Sequence, residues 1–489
     1  MKHKFLFFTC MIMSGFMTGQ DVVTDITNLM QQYEKLEMIN GVVLVSEGDQ
    51  ILYKKAFGKA HFEYDIPNQV QSKFEVASIS KQFTAILILQ LIEEGKLTLH
   101  TKVTEIISEY PKDPGDKINI GHLLTHTSGL IDTRHIQDFD RTHGMNPVSR
   151  EKLLAVFQEH PLLFEPGTKW SYSNFGYNLL AILLERVSGL SIHELVRKKI
   201  FDPSGMQNST TLENPTVIPF LSSRYEINYF TGITPGLFHH PGWSIGSGNI
   251  VTTAEDYFKY YRSFLDGKIL SREGMDELTR PRYFQDFESG DTLKVCLSYF
   301  WDQLEHEGKT IEFPYASGNH YGVHAAAYHF YKEEKLIVIF INLKMQPTRM
   351  FQIGDNIARI LYGYSVTPPK DMYVRHFAAD ITSTGISEAV RRYKELKRNT
   401  GDAMTQQPRD FNRLGYYYLG LGKPEIAVEI FKVNLEVFPD NPDLMDSLGE
   451  GYMNLGQYEL AILYFQQAAD RDPSNMHARE MLEELSKKG

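Results

Sequence analysis

The chain has 489 residues, 42% apolar and 12% aromatic, with 61 acidic against 50 basic side chains and a formal net charge of −11. That much apolar matter argues against disorder and predicts large cores in at least two domains. The negative balance argues against a nucleic-acid polyanion or an anionic membrane as the principal partner, since both reward clustered Lys and Arg, and leaves a small molecule, a peptide or another protein.

The chain opens with "MKHKFLFFTCMIMSGFMTGQ", two lysines, an apolar run, then small residues at Thr18 and Gly19. This pattern predicts an export signal over residues 1–19, removed near Gly19 or Gln20, and a periplasmic or extracellular protein with no membrane span after cleavage. The run from Phe5 to Met17 is shorter than the roughly 20 residues that span a bilayer. Cys10 leaves with the signal, so Cys296 is the single remaining thiol and no internal disulfide is expected. Neither cysteine has a Cys or His at ligand spacing, which predicts no structural metal, and nothing in the sequence calls for a cofactor.

A first domain is expected over residues 22–364. "GVVLVSEGDQILYKKAFG" (Gly41 to Gly58) reads as a hairpin with a Gly-Asp turn, and "VHAAAYHFYKEEKLIVIFIN" (Val323 to Asn342) as a second one far away in sequence. Between them "AILILQLI" (Ala85 to Ile92) reads as a core helix within a mostly helical stretch with long loops. Strands at both ends of a helical middle predict an α/β domain, its sheet closed by the two ends of the domain and a helical subdomain packed on it.

Around "SVTPPKD" (Ser365 to Asp371) two prolines predict a linker, taken as residues 365–385. From 386 to 489 the chain repeats itself. Leu414, Gly422, Ala427, Phe431, Pro439 and Asn441 recur 34 positions later as Leu448, Gly456, Ala461, Phe465, Pro473 and Asn475. That is the period of the tetratricopeptide helical hairpin. Two such units bury too little alone, so Ile386 to Arg398 is expected to pack before the first and Met476 to Lys488 to cap the last. An all-α array of this kind is a candidate docking surface for a protein partner.

The candidate chemistry begins in "FEVASISKQFTA" (Phe74 to Ala85). Ser78 and Lys81 form S-x-x-K where the core helix starts, so hydroxyl and amine share a face near a positive helix end. A desolvated lysine loses its proton readily and activates a serine. The pair alone is ambiguous: serine is also a common helix N-cap, and Ser149 and Lys152 repeat the pattern in a polar context. Tyr172 and Asn174 lead into a second apolar helix, and tyrosine is suited to passing a proton. Their Y-x-N pattern also recurs, at Tyr452 and Asn454 within the helical repeat.

Together "FEVASISKQFTA", "INIGHLLTHTSGL" (Ile118 to Leu130), "FEPGTKWSYSNFGYNLLAILLERVSG" (Phe164 to Gly189), "IFDPSGMQNST" (Ile200 to Thr210) and "GSGNIVTTAEDYFKY" (Gly246 to Tyr260) give the first domain a clear affinity. It resembles the serine β-lactamase and penicillin-binding-protein superfamily, in the branch of class C β-lactamase-like proteins, D-alanyl-D-alanine carboxypeptidases and esterases. The resemblance implies a β-lactamase-like antiparallel sheet flanked by helices. It implies Ser78 as acylated nucleophile, Lys81 as its partner, Tyr172 as proton shuttle and Asn174 against the acyl side chain of the substrate. Backbone N–H groups of Ser78 and Asn319 would form the oxyanion hole.

The third element of the pattern departs. Counting back from Gly322 and Asn342 places it at Ala316, Ser317 and Gly318, with alanine where relatives carry Lys or His. An alanine cannot attract a substrate carboxylate. The literal H-x-G strings at His240 and His320 do not keep the register and are read as coincidences; His320 or His324 replaces the missing group only by leaning into the site. His126 is assigned a packing role, and Trp170, Tyr229, Phe230 and Trp243 are candidate cleft aromatics. The expected function is an exported serine hydrolase acting through an acyl-enzyme on a β-lactam, a D-amino-acid peptide or a small ester. The alternative is a binding or scaffold protein that has lost turnover and works through its repeats.

Overall fold

A computed structural model describes residues 19–213, 217–228, 232–286, 292–344 and 347–486. The expected export signal, except for Gly19, lies outside the described residues, and so do Cys10, Tyr229 and Phe230. The chain divides into two units, one ending at Glu226 and resuming over Pro235–Thr367, the other made of Ile227–Thr234 and the chain from Pro368 onward.

The first unit is built on eight antiparallel strands. Gly41–Glu47 (β1) and Gln50–Phe57 (β2) form the N-terminal hairpin, and Tyr283–Asp286 (β3), Thr292–Val295 (β4), Phe300–His306 (β5), Lys309–His320 (β6), Val323–Phe330 (β7) and Lys335–Ile341 (β8) follow. The order across the sheet is β3-β4-β5-β6-β7-β8-β1-β2. β1 pairs with β8 from Gly41 opposite Ile341 to Glu47 opposite Lys335, so the two ends of the domain do close one sheet, as expected. β1 is a continuous apolar run because both its faces are covered. On one face Val42, Leu44 and Phe340 join the core of the helical subdomain. On the other, the helix Pro347–Leu361 comes so close that a Cβ on Gly354 would overlap the Tyr328 ring.

The helical subdomain centres on Ser80–Glu93 (α1) and Asn174–Ser188 (α2). Both are buried along most of their length, which explains why their sequences are apolar on nearly every side instead of along one stripe. α1 begins two residues later than the S-x-x-K pattern suggests. Ala77–Ile79 is a tight 3₁₀ turn that feeds into it. Cys296 is fully buried against the Thr279 carbonyl at 2.9 Å, and burial pushes its thiol up to about 12.

The second unit contains the expected helical hairpins, Pro408–Gly420 (α5) with Pro424–Val437 (α6) and Pro442–Asn454 (α7) with Tyr458–Arg471 (α8), closed by Met476–Ser486 (α9). Residues 365–385, read as a linker, are extended only to Met372. Tyr373–Thr384 (α3) is a helix that pairs with Ile386–Thr400 (α4) into a third hairpin, with Tyr373, Val374, Phe377, Ala378 and Ile381 buried. The prolines mark only the start of that segment; the apolar spacing after them is helical. The repeat register holds physically. A Cβ on Gly415 would overlap the Phe431 ring, and one on Gly449, 34 positions on, would come within 2.8 Å of the Phe465 ring.

Candidate active site

Ser78 sits in the 3₁₀ turn ahead of α1, and its hydroxyl caps neither that turn nor the helix. Ser149 provides the contrast, since its Oγ accepts the Lys152 N–H and caps the helix Arg150–Gln158. The accidental S-x-x-K is thus an ordinary N-cap, and the other is not. Ala77, just before Ser78, holds φ at +45°, a left-handed conformation costly for alanine. Ser78 Oγ receives two hydrogen bonds instead, from Tyr172 OH at 2.7 Å and from Lys81 Nζ at 3.1 Å.

Lys81 is 2% exposed and fully engaged. Its Nζ also donates to Asn174 Oδ1 and to the Ser247 carbonyl, each at 2.7 Å. Gly246, at φ +66°, makes the turn that aims this carbonyl inward, in a space where a Cβ would meet Ala181 at 2.7 Å. Burial pulls the Lys81 ammonium down to about 7, against the opposing attraction of Asp132. Burial raises the Tyr172 phenol above its ordinary value, partly offset by the hydrogen bond to Ser78. The site therefore holds a neutral phenol and an amine poised to exchange a proton near neutrality.

Tyr172 is fixed by neighbours on both sides. The His126 ring lies 4.3 Å from it, centroid to centroid, and His126 Nδ1 accepts the Ser173 N–H at 3.2 Å. Burial holds His126 well below the usual imidazole range, so it packs as a neutral ring. Arg134 donates to the Tyr172 carbonyl at 2.7 Å. Asn174 is oriented by Asp132, whose Oδ2 accepts the Asn174 main-chain N–H at 2.6 Å.

β6 passes directly beside Ser78. A Cβ on Gly318 would run into the Val76 carbonyl and stand 3.0 Å from the Ser78 nitrogen, so only glycine permits this approach. Beyond it, Asn319 lines a cleft of about 310 Å³ together with Ser78, Asn174, Trp243, His320 and Lys344. Ala316 is buried at 3% exposure in the core beneath the strand, opposite Ala327. Neither Ala316 nor Ser317 is among the residues that line the cleft.

Of the two histidines weighed as substitutes, His320 reaches the cleft and His324 is buried in β7. Burial and the neighbouring His239 push His320 down to about 3, so it is a neutral group there. His240 caps its own turn through Nδ1 onto the Gly242 N–H at 3.1 Å. Trp170 packs near His126 and Phe300. Sequence reasoning missed Asp132, the Ser247 carbonyl and Lys344. Asp132 stands two residues after "HTSGL" and was within reach of that motif, whereas a main-chain carbonyl and a lysine beyond a strand end leave no side-chain pattern to find.

The Beta-lactamase family profile matches residues 26–361, and the Tetratricopeptide repeat profile matches residues 442–475. The chain is 27% identical over 358 residues to a penicillin-binding protein of Bacillus subtilis (strain 168), covering 70% of this chain and 76% of that one. It is 28% identical over 199 residues to esterase EstB of Burkholderia gladioli, covering 36% of this chain and 48% of that one. The crystal structure of a penicillin-binding protein from Bacillus halodurans superposes with a TM-score of 0.59 at 25% identity, covering 69% of this chain and 99% of that one.

Proposed function

The chain belongs to the Beta-lactamase family, a superfamily of serine hydrolases, and from that membership we propose that it is an exported enzyme that opens an ester or amide through an acyl-enzyme on Ser78. One observation carries the reading: Ser78 Oγ lies within hydrogen-bond distance of both Lys81 Nζ, at 3.1 Å, and Tyr172 OH, at 2.7 Å.

Neutral Lys81 accepts the Ser78 proton as Oγ attacks the substrate carbonyl. The N–H groups of Ser78 and Asn319 receive the charge on the carbonyl oxygen, and each such donor is worth about 3 kcal/mol or more. Tyr172 passes the proton to the leaving group, and water then releases the acyl group by the reverse proton path. Asn174 orients the acyl side. Without a cation at position 316, the enzyme lacks the usual anchor for a carboxylate on the leaving side, which favours simple esters over penicillins and D-alanyl-D-alanine ends.

Export rests on the amino-terminal lysines and apolar run; no helix among the described residues is long and apolar enough to cross a membrane. The tetratricopeptide repeat suggests an additional protein partner. The test is labelling with a fluorophosphonate probe. Wild type is expected to form one adduct, absent in Ser78→Ala; folded protein with no adduct on Ser78 would instead favour a scaffold that works through its repeats.

A further inference from the structure

In a chain of net charge −11, the cleft in front of Ser78 has the opposite bias. Among its described lining residues Lys344 is the one lysine, arginine, aspartate or glutamate. A low-dielectric cleft bearing one sign of charge concentrates ligands of the other.

Lys344 ends the short strand Leu343–Lys344, which runs parallel to Tyr225–Glu226. Its Nζ is 3.8 Å from Glu226 Oε1, with side-chain exposures of 30% and 40%. That separation exceeds the roughly 2.7–2.9 Å of a charge-assisted hydrogen bond, so the ammonium keeps donors for a ligand. A neighbouring recess of about 160 Å³ also carries charge, but there Arg224 and Glu75 both line the wall, 3.4 Å apart, so that the two signs offset each other.

The position of Lys344 along the site is informative. It shares the cleft with Asn319 and His320, at the end of β6. Ala316 lies four residues back along the same strand, roughly 13 Å away at the usual rise of a strand, and Gly318, the residue that abuts Ser78, lies between. An anion held by Lys344 is therefore on the other side of the nucleophile from one held at position 316.

We propose that Lys344 anchors a terminal carboxylate on the acyl half of the substrate, so that the group transferred to Ser78 derives from a dicarboxylic acid or an acidic amino-acid side chain. The inference rests on the acyl-enzyme reading above and adds the charge of the acyl group to it. Asn174, in the same cleft, would hold the chain between the ester carbon and that carboxylate.

The test compares the mono-4-nitrophenyl ester of adipic acid, which keeps one free carboxylate, with 4-nitrophenyl hexanoate, of equal chain length. Wild type is expected to prefer the adipate ester in kcat/KM, and the preference is expected to fall about tenfold or more in Lys344→Met while surviving in Lys344→Arg. A ratio unchanged in Lys344→Met overturns the inference and leaves the hydrolase reading intact; if that variant does not fold, Lys344→Gln is read in the same way. If neither ester is cleaved, the hydrolase reading is what fails. Calorimetric binding of adipate to Ser78→Ala, with and without Lys344→Met, then decides the anchor: a loss of about tenfold or more supports it, and equal or absent binding overturns it.

Discussion

The Asp132 carboxylate accepts the main-chain N–H of Asn174 at 2.6 Å, while the Asn174 side-chain oxygen accepts from Lys81 at 2.7 Å. A buried acid thus positions the residue that holds the candidate base, and its charge also opposes the effect of burial on that base.

The pH profile tests this link. Lys81 must be neutral to take the serine proton, so kcat/KM is expected to rise with pH and reach half its plateau at about 7. Asp132→Asn keeps an oxygen for the Asn174 N–H but removes the charge that favours the protonated amine. The rise is then expected to move to lower pH by roughly half a unit to one unit. An unmoved profile would show that Asp132 acts by position alone.

Gly318→Ala tests the approach of β6 to Ser78, the candidate nucleophile. The added carbon collides with the Val76 carbonyl, a backbone group that cannot swing aside. Moving the strand away withdraws the Asn319 N–H from the carbonyl oxygen. The expected loss is about 100-fold in kcat/KM and about 1–3 kcal/mol in stability, read by steady-state kinetics and urea denaturation.

Substrate choice tests the meaning of Ala316. With no cation there, 4-nitrophenyl esters of short acids are expected to be cleaved at least about tenfold faster, in kcat/KM, than a chromogenic cephalosporin. Equal or reversed rates would mean that another group has taken over the leaving-side anchor.

Two glycines of one helix test the repeat packing. Gly415→Ala drives a methyl into the Phe431 ring and is expected to cost about 1–3 kcal/mol by thermal or urea denaturation. Gly420→Ala, at a helical site with nothing within 4 Å of its added carbon, is expected to be neutral or stabilising by up to about 1 kcal/mol. Similar effects from both would mean that the small residue at 415 serves backbone entropy and not close helix approach.

Several parts of this protein are legible in the order of its residues because they are local. The two β-hairpins announce themselves by apolar runs around a turn, the array by a 34-residue period, and Ser78 with Lys81 by a spacing inside one helical turn. The helix Tyr373–Thr384 is hidden because prolines dominate the reading of the segment before it. Residue 316 is legible only through its spacing from Gly322 and Asn342; in the structure it stands opposite Ala327 on the neighbouring strand.

The candidate nucleophile, the family pattern and the repeat can all be read from the order of residues, since each rests on residue types at fixed short spacings. It takes the folded chain to bury Lys81 and draw it down to about 7, to bring Asp132 and the Ser247 carbonyl to bear on it, and to place Lys344 on the cleft wall. Those properties arise from desolvation and from contacts between segments up to about 270 residues apart in the chain, and neither leaves a trace in the local order of residues.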